Sequence, residues 1–357
     1  MTHQPLAVRG ETGTPGFSLP GVRLAGVVSA VPSRKLVNDD FVARFGADAV
    51  RDVTKMVGVE TRYWVPPGQT TSDLCHAAAE RLLAKLDWSA DTIDVLIFVS
   101  QTPDQRLPAT ACVLHARLGL ARHCQAFDVG LGCSGYVYGL WLASTLINAG
   151  CSRVLLLAGE TSSRLLDPDD RGTALLFGDA GTATAITADP DAPASIFVLG
   201  TDGGGAANLI VPAGGFRIPA PDARRATGFD PEHLYMDGGE VFTFTLRAVP
   251  KLVADALAHA GCGVADIDAF VLHQANRFML NHIVKKIGAR PDQAPINIDR
   301  FGNTSSATLP LVLSTDLATR LTAGPARLAL VGFGVGYSWG AAVIETCGLG
   351  CAEILYL

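Results

Sequence analysis

Ser89-Ala90-Asp91-Thr92-Ile93-Asp94-Val95-Leu96-Ile97-Phe98 reads as a short polar turn running into a buried strand. Gly263-Val264-Ala265-Asp266-Ile267-Asp268-Ala269-Phe270-Val271-Leu272 reads the same way 174 residues later. Arg153-Val154-Leu155-Leu156-Leu157 and Arg327-Leu328-Ala329-Leu330-Val331 stand 174 residues apart as well. Downstream, Gly181-Thr182-Ala183-Thr184-Ala185-Ile186 is echoed by Gly340-Ala341-Ala342-Val343-Ile344. Two independent segments at one offset point to a duplicated half with pseudo-twofold symmetry. Around them, runs rich in Val, Ile and Leu alternate with longer segments of helical period. Strands are expected at 23–31, 94–100, 125–129, 153–158 and 180–187, and again at 195–201, 269–273, 327–332 and 341–345. That is an α/β chain with largely buried strands. It divides into a flexible, dispensable extension over 1–21, an N-terminal half over 22–190 and a C-terminal half over 191–357, with 202–236, rich in Gly, Pro and Ala, as an excursion.

Composition narrows the function. At 357 residues, 48% hydrophobic and 17% charged, the chain can bury a large core and is not a disordered one. The net charge is −6 and its Lys and Arg are scattered, which argues against a nucleic-acid footprint. No apolar run reaches the roughly 18 residues of a membrane span, and the first 21 residues lack the apolar core of a signal peptide. The expectation is a cytoplasmic enzyme. The eight cysteines include no Cys-x-x-Cys pair and several lie in apolar runs, as buried thiols in a reducing compartment do. Cys347 and Cys351 have no His nearby, so a metal site is not expected.

The chemistry begins at Phe127-Asp128-Val129-Gly130-Leu131-Gly132-Cys133-Ser134-Gly135, where a strand runs through small residues into a segment of helical spacing. This places the Cys133 thiol at a helix start, where free N–H groups and the macrodipole are expected to lower its pKa. The competing reading is a small core cysteine. In the second half Phe270-Val271-Leu272-His273-Gln274-Ala275-Asn276 ends a strand on a His, at the position where the first half has Val99. Phe301-Gly302-Asn303-Thr304-Ser305-Ser306-Ala307-Thr308 leads into a helix. Alone, His273 reads as structural and Asn303 as a turn or N-cap residue. Together with the cysteine they supply a nucleophile and two hydrogen-bond donors. Gly332-Phe333-Gly334-Val335-Gly336 either offers backbone N–H groups to an oxyanion or makes a tight turn between paired strands.

These residues resemble the β-ketoacyl-acyl-carrier-protein synthase III family of the thiolase-like superfamily. Beyond the Cys133 loop, His-Gln-Ala-Asn at 273–276, Gly-Asn-Thr-Ser at 302–305 and Gly-Phe-Gly-x-Gly at 332–336 stand in the family's order. Asp167-Pro168-Asp169-Asp170-Arg171-Gly172-Thr173, leading to Phe177-Gly178-Asp179-Ala180-Gly181, does too. The resemblance implies a five-layered αβαβα fold made of two similar halves, working as a homodimer. It implies that Cys133 is acylated by an acyl-CoA or acyl-carrier-protein thioester, with the N–H groups of Cys133 and Val335 holding the oxyanion. His273 and Asn303 then stabilise the enolate formed as a malonyl thioester loses carbon dioxide, with His273 neutral or donor-only. Phe333, Gly238, Asn276 and Arg171 are the implied contacts of substrate and pantetheine, and no cofactor is permanently bound.

Departures from the family pattern fall on the substrate side. Asp52 and Met56 stand where CoA-using members have a stacking Trp and an Arg, and Leu107 stands where acetyl-specific members have an aromatic gate. A primer longer than acetyl, carried on acyl-carrier protein, is therefore expected. The runner-up function keeps the scaffold and passes the acyl group to an O, N or C nucleophile without decarboxylation. A papain-like hydrolase shares the order Cys, His, Asn but not the internal repeat. A non-catalytic chain-length-factor-like partner would lack the cysteine.

Overall fold

Twelve strands in two six-stranded sheets carry the architecture in a computed structural model, which describes residues 7–9, 14–217 and 230–357. In chain order they are β1 (Ala7–Arg9), β2 (Pro15–Leu19), β3 (Val22–Val31), β4 (Val95–Val99), β5 (Gln125–Val129) and β6 (Arg153–Glu160). They continue as β7 (Ala180–Ala188), β8 (Ser195–Thr201), β9 (Ala269–Leu272), β10 (Pro325–Gly334), β11 (Ser338–Cys347) and β12 (Cys351–Tyr356). The first sheet has the order β12-β3-β7-β6-β4-β5 and the second β1-β2-β8-β11-β10-β9. The principal helices are α1 (Ala47–Val57), α2 (Thr71–Leu86), α3 (Thr110–Arg117), α4 (Gly135–Asn148), α5 (Gly238–His259), α6 (Arg277–Ile287) and α7 (Thr308–Ser314).

The repeated segments become the same piece of structure twice. In β3-β7-β6-β4 and in β8-β11-β10-β9 the successive pairings are antiparallel, antiparallel and parallel. Asp94 N–H donates to Arg153 O at 3.0 Å, and Asp268 N–H donates to Arg327 O at 2.9 Å. The two carboxylates repeat each other as well, Asp94 accepting from the Arg153 N–H and Asp268 from the Arg327 N–H. The same bond is thus made at both ends of the 174-residue offset, so the two halves repeat one local arrangement.

Three buried clusters set the layers. Tyr136, Val137, Leu140 and Ala143 of α4 and Leu309, Val312 and Leu313 of α7 pack against strands of both sheets, so these helices fill the middle. Leu74, Ala78 and Leu82 of α2, with Leu114 of α3, cover the outer face of the first sheet. Val249, Val253 and Ala256 of α5, with Leu280 and Ile283 of α6, cover the outer face of the second. The result is a five-layered αβαβα fold. Helix α2 starts at a capping box, Thr70 N–H donating to Asp73 Oδ2 at 2.9 Å, and its apolar face repeats every three to four residues. It lies so close to the sheet that a Cβ on Gly181 would stand 2.6 Å from Leu74 Cβ.

The ends of the chain differ from expectation. Pro15–Leu19, assigned to a flexible extension, is instead strand β2 and pairs antiparallel with β8. Its Leu19 is buried, and its Phe17 lies 5.5 Å from the Trp141 ring on α4, so this segment is part of the core. The C-terminus crosses over as well: β12, from the end of the chain, runs parallel to β3 in the first sheet. Edge strands are thereby covered by segments remote in sequence.

Candidate active site

The parallel strands of each sheet end toward one cavity of about 120 Å³ where Cys133, His273 and Asn303 meet. Cys133 follows β5 and immediately precedes Ser134, the N-cap of α4. The sequence forces this backbone together. A Cβ on Gly334 would stand 2.7 Å from Cys133 Cβ and 2.9 Å from its Sγ, and a Cβ on Gly332 would meet Ser134 Cα at 2.9 Å. Only glycines at 332 and 334 let the β10–β11 hairpin lie against the nucleophile loop. Ser134 Oγ and Ser338 Oγ, 2.6 Å apart, tie the two loops together.

The electrostatics of Cys133 overturn one expectation. A helix start was expected to lower the thiol pKa, but burial pushes it up, and the charge of Glu160 adds to that. Hydrogen bonds from Ser305 Oγ, 3.6 Å from Sγ, and from the Val335 N–H pull the other way without overcoming burial. The resting group is a thiol, because desolvating an anion outweighs a few local dipoles. The N–H groups expected to form an oxyanion hole, those of Val335 and Cys133, both pull the thiol pKa down. Removing the Ser305 hydroxyl should raise the thiol pKa further. In Ser305→Ala, the midpoint of iodoacetamide alkylation of Cys133 should move to higher pH, and an unchanged midpoint would exclude this contact as a stabiliser of the thiolate.

His273 follows β9 directly, its N–H continuing the ladder to Val331 O at 2.8 Å. It is 2% exposed, and burial pushes its pKa down to about 3, so the ring is neutral. Phe333 meets the ring edge-on with centroids 5.3 Å apart. Thr308 Oγ1 lies 2.8 Å from Nδ1 and 2.8 Å from Ser305 O. It either accepts from Nδ1–H while donating to that carbonyl, or donates to Nδ1 and leaves the ring proton on Nε2. In both arrangements Nε2 is the nitrogen left for a ligand.

Asn303 is held on three sides. Its N–H donates to Leu176 O at 2.9 Å, and its carbonyl accepts from Gly178 N–H at 3.1 Å. Its Oδ1 accepts from Ser305 N–H at 2.9 Å, which fixes the amide orientation. The Nδ2 donor is therefore the atom available to the cavity. Ser305 makes this possible with φ +51°, a left-handed conformation rare for a residue with a side chain.

The remaining expected contacts divide. Phe333, Gly238 and Asn276 line the cavity. Gly238 is the first residue of α5, and Asn276 caps α6, its Oδ1 accepting from Met279 N–H at 2.7 Å. Leu107 does not line the cavity. It is 77% exposed on a loop that has left the cavity wall after Gln101, so within one chain it gates nothing. Arg171 also lies outside, exposed at the start of a short helix, as are Asp52 and Met56 on α1. Trp64 packs edge-on against Phe41 and donates Nε1–H to Phe177 O at 2.9 Å.

Sequence reasoning missed Glu160, Gln101 and Ser162, all on the cavity wall, and Leu209, Leu234 and Met236, which the excursion folds over it. That excursion is pinned by a small antiparallel ribbon pairing Leu209 with Met236. Part of it, 218–229, lies outside the described residues. Among the described residues no group of three or more His, Cys, Asp or Glu is placed to hold a metal ion. No helix among them is long and apolar enough to cross a membrane.

A five-layered fold with a thiol at the start of its central helix is the thiolase-like class, and the enzyme is a condensing acyltransferase. The model of the 3-Oxoacyl-[acyl-carrier-protein (ACP)] synthase III family matches residues 127–209, and the model of that synthase's C-terminal part matches 257–346. A β-ketoacyl-[acyl-carrier-protein] synthase III of Rhodopirellula baltica is 36% identical over 350 residues, covering 92% of this chain and 99% of that one. The crystal structure of a 3-oxoacyl-(acyl-carrier protein) synthase from Burkholderia xenovorans LB400 is 51% identical. It superposes with a TM-score of 0.94 over 97% of this chain and 100% of the other. A synthase III from Thermus thermophilus, at 35% identity, superposes with a TM-score of 0.81 over 90% of this chain and 98% of its own. The chain belongs to the β-ketoacyl-acyl-carrier-protein synthase III family.

Proposed function

We propose that Cys133 takes an acyl group from a CoA or acyl-carrier-protein thioester, and that the acyl-enzyme condenses with a malonyl thioester. The products are a β-ketoacyl thioester, carbon dioxide and free Cys133. In the first half-reaction Sγ attacks the acyl carbonyl, its proton leaves with the carrier thiol, and the N–H groups of Cys133 and Val335 hold the tetrahedral oxyanion. In the second, the bond from the malonyl α-carbon to its carboxylate breaks as the electron pair moves into an enolate. The enolate oxygen accepts from Asn303 Nδ2–H and from His273 Nε2–H, with the Thr308 hydroxyl turned to donate to Nδ1. The carbanion attacks acyl-Cys133 and the thiolate departs to take a proton. Phe333 offers the leaving carboxylate an apolar wall.

The observation that carries this reading is the commitment of the inner atoms. Asn303 Oδ1 is engaged by Ser305 N–H and His273 Nδ1 by Thr308, which leaves Nδ2 and Nε2 for the cavity that holds the thiol. The family resemblance adds a cytoplasmic homodimer and an acyl-carrier protein as partner. Two chains of 37.3 kDa sedimenting together would support the dimer. Substrate pantetheine is assigned a path past Gly238 and Asn276.

Primer preference follows from the walls. Leu165, Leu176, Leu209 and Leu234 make the cavity mainly apolar, and each methylene buried there stabilises the acyl-enzyme by about 0.8 kcal/mol, roughly fourfold. Asp52 and Met56 offer no aromatic face for adenine. Intact-mass measurement with acetyl, butyryl, hexanoyl and octanoyl groups on both carriers should show loading of Cys133, fastest for chains beyond acetyl on carrier protein. Preference for acetyl-CoA would defeat the chain-length and carrier assignments. Loading without carbon dioxide release from malonyl thioester would replace condensation by plain acyl transfer.

A further inference from the structure

Among the described residues Glu160 is the one carboxylate in the cavity wall, and no step above uses it. It ends β6, and 174 residues on its counterpart at the end of β10 is Gly334, the glycine against which Cys133 rests. The pseudo-twofold arrangement thus places a carboxylate across the site from the nucleophile's own turn. The side chain is 2% exposed. Burying a carboxylate is costly unless it is fully hydrogen-bonded, and this one is engaged by donors alone. The Gln101 N–H reaches Oε1 at 3.0 Å and Oε2 at 3.1 Å, Thr102 Oγ1 donates to Oε2 at 2.8 Å, and Ser100 Oγ donates at 3.2 Å.

Those three donors are consecutive residues, so the carboxylate fixes one turn, Ser100-Gln101-Thr102. That turn is itself braced, Thr161 N–H donating to Thr102 Oγ1 at 3.0 Å and Thr71 Oγ1 lying 2.8 Å from it. Gln101 is the wall beside the thiol: a Cβ on Gly132, one residue before Cys133, would run into Gln101 Oε1. We propose that Glu160 is a positioning residue of the Cys133 site, its carboxylate holding the Ser100-Gln101-Thr102 turn as the cavity wall that an entering acyl group meets.

The same carboxylate has an electrostatic signature that a purely structural residue would lack. The titratable groups that feel it are Cys133 on the loop before α4 and Cys75 on α2, the latter pushed up to about 12, first by burial and also by Glu160 and Asp104. Burial also raises Glu160 itself, to about 7, against the downward pull of its donors. No ion pair offsets its charge among the described residues.

This inference rests on Cys133 being the acylated residue, and the experiment separates the two. The reactivity of Cys133 toward iodoacetamide at pH 7.5 and the apparent KM for the thioester that loads it fastest are measured in wild type, Glu160→Gln, Glu160→Asp and Ser100→Ala. In Glu160→Gln the amide turns an NH2 toward donors and the charge is gone. KM should rise, and alkylation should become several-fold faster because the thiolate no longer faces an anion. In Glu160→Asp the charge stays but the reach is lost, so KM should rise without faster alkylation. Ser100→Ala, which keeps the carboxylate and removes one donor, should raise KM and covers the case in which Glu160→Gln does not fold. Unchanged KM in Ser100→Ala and in whichever Glu160 variants fold overturns the inference, as does slower alkylation in Glu160→Gln. Acyl mass on a residue other than Cys133 overturns the functional reading instead.

Discussion

Cys133→Ala is expected to gain no acyl mass from any thioester while its thermal midpoint stays within about two degrees of wild type. The first half follows from the position of the sulfur: among the eight cysteines of the sequence, Cys133 is the one in the cavity wall, beside the Ser305 hydroxyl. The second half follows from the scaffold. Cys133 contributes a single sulfur to the core, whose burial is worth about 1 kcal/mol, and a chain of this size shifts only about one to two degrees for that loss. Nothing else depends on it, since the loop is fixed by Gly332, Gly334 and the Ser134–Ser338 contact. Cys133→Ser should behave alike, because a hydroxyl at that position is held protonated by the same burial. An alanine variant that still carried the acyl group would remove Cys133 from the reaction, and one that unfolded would make the thiol a structural element.

The fold was legible wherever the signal was local. The offset between Asp94 and Asp268 could be read from residue types alone because the same aspartate caps the same neighbouring strand in both halves. The buried strands carried enough Val, Ile and Leu to be placed within a few residues: 195–201 stands unchanged, and 23–31 gains one residue. The hairpin of β10 and β11 was read too short at both ends. Its flanks, such as Pro325, Gly334, Ser338 and Cys347, have weak strand propensity and are extended only because each has a partner in the ladder. β2 and β12 could not be read as sheet members at all. Their partners lie roughly 180 and 320 residues away, and no periodicity within five or six residues reports that.

The site divides along the same line. Cys133, His273 and Asn303 stand in motifs whose order survives in sequence, and the structure brings all three to one cavity. What sequence could not supply was burial. The thiol was expected to be lowered by a helix start, and a desolvation effect invisible in residue order reversed the direction. Glu160 passed unnoticed because Gly-Glu-Thr-Ser is an ordinary strand end, and its importance comes from donors 58 to 60 residues away. Leu107 was assigned to the site by alignment with a gate, and within the single chain it is exposed and outside the cavity lining.

Asn303→Asp should leave acylation of Cys133 within a few-fold of wild type and lower carbon dioxide release from malonyl thioester by roughly 10²–10³, the usual effect of losing one preorganised donor to an oxyanion. The substitution is chosen for its geometry. Oδ1 remains to accept from Ser305 N–H, so the left-handed turn at Ser305 and the contact of Ser305 with the thiol are kept. Only Nδ2 changes, from a donor to an anionic acceptor that repels both the malonyl carboxylate and the enolate it becomes. Asn303→Ala is the weaker test, because freeing Ser305 N–H disturbs Cys133 as well. His273→Ala should show the same split, acylation persisting while decarboxylation falls. A ring held neutral, with a pKa near 3, donates a proton poorly as an acid but well as a hydrogen-bond partner. Its contribution should therefore be flat between about pH 6 and 8, since the folded ring has no titration in that window. If Asn303→Asp released carbon dioxide at the wild-type rate, Asn303 would have no part in the enolate step.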